Sequence, residues 1–226
     1  MEQLDNIFEF GLGRGVRAFT AGRDCALPCD VTVGHQVHGI KVAEVSEFGM
    51  TREDLEGYDA LVTNLTGCAI GVRTADCIPV LLYDPIVKAI GAAHAGWRGT
   101  VNRVVQKTIF KMSQLYGSDS KDVIAVIGPG ICRDCFQVGE EVVSYFKNNG
   151  FPLDLVYDWQ GPKQEGMKGG HHIDLKEANR WLLKDAGVKE KNISISEVCT
   201  YTDERLYSAR REGTQCGRNI NAVMLI

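Results

Sequence analysis

Three residues of the chain, His38, Cys77 and His94, have the chemistry of metal ligands. They sit in the local sequences GHQVHG, RTADC and AAHAGWRG, each at the end of a strand-like run beside glycine or another small residue. At such positions a strand stops and a pocket can begin. Histidine and cysteine are the preferred ligands of zinc. Three protein ligands with a fourth position open is its catalytic arrangement, whereas structural zinc is usually closed by four. The three residues are far apart in sequence, unlike a compact finger motif. Residue types alone therefore leave two other readings open. The histidines can be strand-end residues satisfied by hydrogen bonds beside a buried thiol. Alternatively, Cys77 can be the nucleophile of a hydrolase, with His94 or His38 as its base.

Polar neighbours extend the set. Asp76 directly precedes Cys77 and can orient a histidine or handle protons, or it can be a plain turn carboxylate. His35 lies three residues before His38, and on an extended segment the two point to opposite faces, which suits a structural or pocket-lining role. Gln36 shares the face of His38 and can contact substrate or lie at the surface. Arg73 and Arg98 flank the three residues, and arginine offers a planar fork that fits phosphate oxygens. Arg210, Arg211 and Arg218 form a second basic group near the C-terminus. Cys132 and Cys135 form a C-x-x-C pair without the usual thioredoxin context. His171 and His172 fall in a Gly-rich stretch, where solvation or adventitious metal is expected.

The elements that position these residues read as short strands: DVTVGHQVHG, IKVAEVS, YDALVT, CAIGVRT, IPVLLYD and KAIGAAHAG, rich in Val and Ile and punctuated by Gly, Asp or Pro. Val101, Val104, Val105, Thr108, Ile109, Met112 and Leu115 recur at helical spacing, which predicts one helix ended by Gly117. DVIAVIG predicts a buried strand, and a helix through Val138, Val142, Val143 and Phe146 follows. Residues 151–172, with the polar DWQGPKQEGMKGGHH, predict a mobile surface loop. Asp174 and Glu177 start a capped helix whose inner face is Leu175, Ala178 and Leu182 and whose end is Gly187. ISISEVCT and NINAVMLI predict the final strands. The whole reads as one α/β (α+β-like) domain over residues 1–226, with mixed β-sheets flanked by helices and no dividing linker.

Length and composition bound the function. The 226 residues suffice for a substantial core, and the net charge of −4 gives no global pull toward nucleic acid or anionic membrane. No apolar run approaches the length of a membrane span. The start, MEQLDNIFEF, lacks the basic region and apolar stretch of a secretory signal, so a cytoplasmic protein is expected. The eight cysteines are then expected as reduced thiols.

The motifs HQVHG, TADCIPVLLYD, AAHAGWRGT, GPGICRDCFQVGEEV, DLKEANRWLL, the CT of EVCT, YSARR and GR occur in one fixed order from about His35 onward. In this the chain resembles the YfiH-type family, long labelled laccase-like or polyphenol oxidase and now associated with zinc-dependent purine nucleoside phosphorolysis and adenosine deamination. The resemblance implies that His38, Cys77 and His94 are the zinc ligands, and that Arg73, Arg98, Asp76 and one or two of the C-terminal arginines belong to the site. It implies purine nucleosides and phosphate as partners, in a monomer or homodimer. Correction of peptidoglycan precursors by a Cys–His hydrolase is a further activity in reach of the resemblance. Copper oxidation of phenols, the older label, normally needs many histidines, and this chain has five. A purely metal-binding module fits less well, because an open coordination position leaves a metal reactive. One region departs from the pattern. Where the family carries a Phe-Thr-Thr-Arg-x-Gly-Gly-type segment, this chain has AFTAGRDCALP at residues 18–28, with Arg23 in place of the family arginine and a shortened segment.

Overall fold

A computed structural model of the chain describes residues 6–161 and 169–226. Its strands are, in chain order, β1 (Ile7–Phe10), β2 (Val16–Ala21), β3 (Val31–Val33), β4 (Val42–Glu44), β5 (Ala60–Thr63), β6 (Ala69–Thr74) and β7 (Ile78–Asp84). Then come β8 (Ala89–Ala95), β9 (Ile124–Ile127), β10 (Gln137–Val138), β11 (Tyr157–Gln160), β12 (Gly170–Ile173), β13 (Ile193–Ile195) and β14 (Asn219–Leu225). The helices are α1 (Trp97–Val101), α2 (Val104–Tyr116), α3 (Glu140–Asn148), α4 (Leu153–Val156), α5 (Leu175–Asp185) and α6 (Ala209–Glu212). The fold is a mixed α/β domain.

A six-stranded sheet, β13-β9-β7-β8-β5-β4, forms the middle layer. Period-two alternation along β7 explains its position. Ile78, Val80 and Leu82 join the core shared with α2, α3 and α5, while Leu81 and Tyr83 join a second core with Ile70, Val72, Val223 and Leu225 of the next sheet. A strand buried on both faces reads as a continuous apolar run, which is how IPVLLYD reads. The second sheet has the order β1-β2-β14-β6-β3. A small antiparallel sheet, β10-β12-β11, completes the architecture. Helix α2 lies close on β8, where a Cβ at Gly91 would stand 3.1 Å from both Met112 Sδ and Thr108 Cγ2.

Several elements differ from the sequence reading. β1 and β2 were not expected: β2 pairs with the far C-terminal strand β14, from Val16↔Leu225 to Ala21↔Ile220, and β1 pairs along the other side of β2. The helix expected from Val101 to Leu115 is broken: Arg103 adopts φ 65 between α1 and α2, and hydrophobic periodicity is blind to a two-residue break. Leu115 is exposed rather than part of the inner face. Val138 belongs to β10 and not to the helix after it. Of ISISEVCT only Ile193–Ile195 is a strand, and Cys199 rejoins the structure through a bridge to Gly130. The expected loop at 151–172 contains α4 and the β11–β12 hairpin, while its centre, residues 162–168, lies outside the described residues. The capped helix α5 is as expected: the Asp174 side chain accepts from the Glu177 amide. Among the described residues, no helix is long and apolar enough to cross a membrane.

Asn221 ties the second sheet together from inside. Its Oδ1 accepts from Thr20 Oγ1 at 2.6 Å, and its Nδ2 donates to Thr74 Oγ1 at 3.0 Å and Val72 O at 3.3 Å. Thr20, Thr74 and Asn221 are all fully buried. Asn221→Ala leaves these groups dry and unpaired, and should lower stability by about 2–3 kcal/mol in urea unfolding.

Candidate metal centre

The three ligand candidates converge. One ligand atom from each of His38, Cys77 and His94 lies within 4.8 Å of the others. The His38 and His94 ring centroids are 4.9 Å apart at an interplanar angle of 68°. His94 comes from the end of β8, His38 from the loop after β3, and Cys77 from the turn that carries the chain from β6 in one sheet to β7 in the other. Each needs a local constraint to be there.

A buried carboxylate supplies two of those constraints. Asp59 Oδ2 accepts from the amides of Val37 at 3.1 Å and Gly39 at 2.7 Å, bracketing His38, which sits at φ 60. Asp59 Oδ1 lies 2.7 Å from His94 Nδ1, and the Asp59 carbonyl accepts from the His94 amide at 2.8 Å. A carboxylate can only accept, so Nδ1 carries the hydrogen and Nε2 is left for a ligand. Burial alone would raise the Asp59 carboxyl, but the hydrogen bonds from His94 and from the Gly39 and Val37 amides hold it below its ordinary value.

Cys77 is constrained by its neighbour. Asp76 has φ 90, an unfavourable backbone for a residue with a side chain. Its Oδ1 accepts from Thr200 Oγ1 at 2.7 Å, its Oδ2 from the Arg210 amide at 2.6 Å, and its carbonyl from the Ile131 amide at 2.9 Å. Opposite stands Gly96, where a Cβ would come 2.9 Å from Cys77 Sγ and 3.3 Å from His38 Cδ2. Only glycine leaves room for both.

The electrostatics suit a cation. Burial would push the Cys77 thiol up, but the charge of His94 and hydrogen bonds from His38 and His94 bring it down to about 6. Burial would push His94 down, but the Cys77 and Asp59 charges and hydrogen bonds lift it to about 9. The two shifts run in the directions that favour a thiolate beside a charged imidazole. A divalent cation among the three side chains replaces the imidazole proton as partner of the thiolate. The donor set of two imidazoles and one thiolate fits zinc with one position open.

The group lies at a cavity of about 490 Å³. His35, Gln36, Arg52, Arg73, Cys216 and Arg218 are among its other lining residues, and among the described residues none that lines it is acidic. Gln36 clamps the Arg73 backbone: its Nε2 donates to Arg73 O at 2.9 Å and its Oε1 accepts from Arg73 N at 2.7 Å. Burial, then the charges of Arg52 and Arg218, lower the Arg73 pKa. Arg218 is held by the carbonyls of Thr214, Cys216 and Gly217. His35 lines the cavity with its Nδ1 on Glu56.

Other candidates lie elsewhere. Arg98 is exposed, stacks 4.2 Å over Trp97, and is not among the lining residues. The Asp76 carboxylate is committed to Thr200 and Arg210, and the carboxylate that orients a histidine is Asp59. The Arg210 guanidinium binds the carbonyls of Cys135 and Gln137, and Arg211 binds those of Thr200, Tyr201 and Leu206. Arg23 pairs with Glu212 at 2.7 Å and stacks on Tyr207. His171 and His172 are strand residues of β12, bonded to Tyr157 Oη and Arg133 O.

The model of the multi-copper polyphenol oxidoreductase laccase family matches residues 18–226. The chain belongs to this family. It is 42% identical over 175 residues to a Bacteroides thetaiotaomicron protein named purine nucleoside phosphorylase, covering 77% of this chain and 63% of that protein. It is 39% identical over 202 residues to adenosine deaminase RL5 from an unknown prokaryotic organism, covering 86% and 74%. The crystal structure of Neisseria meningitidis protein NMB0706 superposes with a TM-score of 0.81 at 25% identity, covering 97% of this chain and 99% of that one.

Sequence reasoning missed Asp59, Arg52 and Gly96. Asp59 is the second residue of the run YDALVT, where it reads as turn punctuation, and Arg52 sits in the polar stretch TRED. Asp59→Asn keeps a hydrogen-bond acceptor but removes the charge behind His94. It should weaken metal binding about 10- to 100-fold in a chelator competition, with the far-ultraviolet circular dichroism of the wild type retained.

Proposed function

We propose that the protein is a zinc-dependent purine nucleoside phosphorylase with adenosine deaminase activity. The observation that carries this reading is the convergence of His38, Cys77 and His94 at a cavity lined by Arg52, Arg73 and Arg218, with no acidic residue among its described lining. The names of the relatives support it. His38, Cys77 and His94 would hold the zinc, which supplies Lewis acidity when bound.

The remaining residues bind and position. In phosphorolysis a phosphate oxygen bonds to C1′ of the ribose while the C1′–N9 bond breaks, and the purine leaves with that electron pair and takes up a proton. Arg73, clamped by Gln36 and crowded by two like charges, gains most from a phosphate anion, with Arg52 and Arg218 beside it. This gives the phosphate role to Arg73 rather than to Arg98. His35, paired with Glu56, is the acid–base side chain placed to handle the proton. In deamination water adds at C6 of adenosine and ammonia leaves, so no phosphate is needed. Asp76 is a positioning residue that presents Cys77. The thiol-rich sequence suits the cytoplasm, where thiols stay reduced.

A second reading rests on the same Cys77–His94 contact. With its lowered thiol and no metal, the pair can act as nucleophile and base of an acyl or amide hydrolase. Chromatography of adenosine and inosine incubations, with and without phosphate, separates the two. Phosphate-dependent adenine from adenosine and hypoxanthine from inosine, with inosine formed from adenosine in either buffer, and all products lost in Cys77→Ala, is the expected pattern. Hypoxanthine formed equally without phosphate would mean a nucleoside hydrolase, and no purine product from zinc-loaded protein would favour the acyl hydrolase. Arg73→Ala should cut phosphorolysis by about 10- to 100-fold more than deamination, and by more than Arg98→Ala does. Equal losses of both reactions would remove the phosphate role of Arg73.

A further inference from the structure

A second cluster lies behind the cavity wall. Cys132, Cys135 and Cys199 place their sulfurs within 4.8 Å of one another. Cys132 and Cys135 flank a single 3-10 turn, in which the Cys135 amide donates to Cys132 O at 3.1 Å. Cys199 arrives from a distant segment, tied by its bridge to Gly130 and by the Cys132 amide, which donates to Cys199 Sγ at 3.2 Å. A C-x-x-C turn closed by a remote third cysteine is a ligand pattern of thiophilic metals.

We propose that Cys132, Cys135 and Cys199 form a second zinc site, three sulfurs holding the ion with its fourth position left to a non-protein ligand. Thiolates about 2.3 Å from one zinc at tetrahedral angles stand about 3.8 Å apart, so sulfurs already within 4.8 Å need only small side-chain rotations. Charge balance favours a divalent ion. Three thiolates and one zinc ion leave a single negative charge. The buried Lys176 ammonium lies within electrostatic reach of Cys199 and Cys132 and neutralises it. Lys176 is itself fixed in place, donating to Ser196 O at 2.6 Å and Val198 O at 2.9 Å. Burial and the neighbouring sulfurs push Cys135 up to about 12, whereas backbone amides at Cys132, Tyr201 and Thr202 draw Cys199 down against its burial. Metal binding would displace the thiol protons of the three cysteines and join all three sulfurs.

The site would fasten the wall of the first one. Thr200, next to Cys199, donates to Asp76 beside Cys77, and Arg210 joins Asp76 to the Cys135 carbonyl. Zinc on the three sulfurs pins the segments 130–135 and 199–202 on which the strained Asp76 turn leans.

Metal counting tests this, and it separates the two sites. The full chain, purified reduced, loaded with Zn²⁺ and gel-filtered, should carry about two zinc ions by elemental analysis. Cys199→Ser and Cys132→Ser should each carry about one, and Cys77→Ser should also carry about one, held by the cluster. With Co²⁺ in place of zinc, the near-ultraviolet thiolate charge-transfer band should be about threefold stronger in Cys77→Ser than in Cys199→Ser, because three sulfurs rather than one bind the ion. Loss of all zinc in Cys77→Ser, or no loss in Cys199→Ser, would overturn the cluster site and leave the first one standing. If Cys199→Ser fails to fold, the wild-type Co²⁺ titration decides. Two classes of thiolate-bound cobalt support the proposal and one class overturns it. A Cys132–Cys135 disulfide in the isolated protein that, once reduced, still binds no second zinc would also overturn it.

Discussion

One buried carboxylate organises the centre. Asp59 spends one oxygen on the two amides that bracket His38 and the other on His94 Nδ1. It thereby fixes a loop turn and a ring tautomer at once. A lone carboxylate at this depth would be costly, and these hydrogen bonds are what keep it ionised. The dependence is mutual. His38 holds a positive φ only because the amides on either side of it are anchored, and His94 presents Nε2 only because Nδ1 is occupied. Removing Asp59 would release both histidines, although Asp59 is not itself among the residues that line the cavity.

The cavity shows the opposite electrostatic choice. Where Asp59 is satisfied on all sides, Arg73 is partly buried beside two other arginines and, among the described residues, no lining acid. Like charges held together destabilise the protein unless something compensates, and structural arginines normally find a carboxylate or carbonyl. Arg210 and Arg211 do so nearby with backbone carbonyls. Arg218 is likewise held by backbone carbonyls, so the contrast rests on Arg73. On the proposed reading, the compensating anion is the phosphate that phosphorolysis consumes.

How much of this was legible in the sequence follows from which interactions are local. The interior strands β5 to β9 were readable because burial on one or both faces writes itself as apolar runs, and the α5 cap because Asp174 and Glu177 are three residues apart. Strand β2 was not, since it pairs with β14 some two hundred residues away, nor was β1, which pairs only along β2. The Arg103 break and the β11–β12 hairpin were missed for a related reason: a positive φ and a Gly-rich composition say little about what tertiary contacts will stabilise. The centre divides in the same way. His38, Cys77 and His94 announce themselves by residue type at strand ends, and the family resemblance joined them. Asp59, which orients them, looks like any aspartate before a strand. Arg98 looked as close to the site as Arg73, but proximity in sequence to a ligand does not tell which way the chain turns next. After His94 it enters α1, and the guanidinium lies over Trp97.

Cys77 owes its place to topology. Strand β6 belongs to one sheet and β7 to the other, and only residues 75–77 connect them. A crossing this short forces an unusual backbone, which Asp76 carries at φ 90. Such a conformation costs of order 1–3 kcal/mol and persists only when surrounding contacts over-determine it. Here they are the bonds from Thr200, Arg210 and Ile131, drawn from the segments that also bear Cys199, the C-terminal arginines and the Cys132–Cys135 turn. The strain that exposes the thiol to the two histidines is therefore stored in one sheet crossing and held by three distant stretches of chain. Loosening any of them lets Asp76 relax toward an ordinary backbone and carries Cys77 Sγ away from His38 and His94. Residues far from the cavity can thus govern the geometry of the centre without contacting anything bound there.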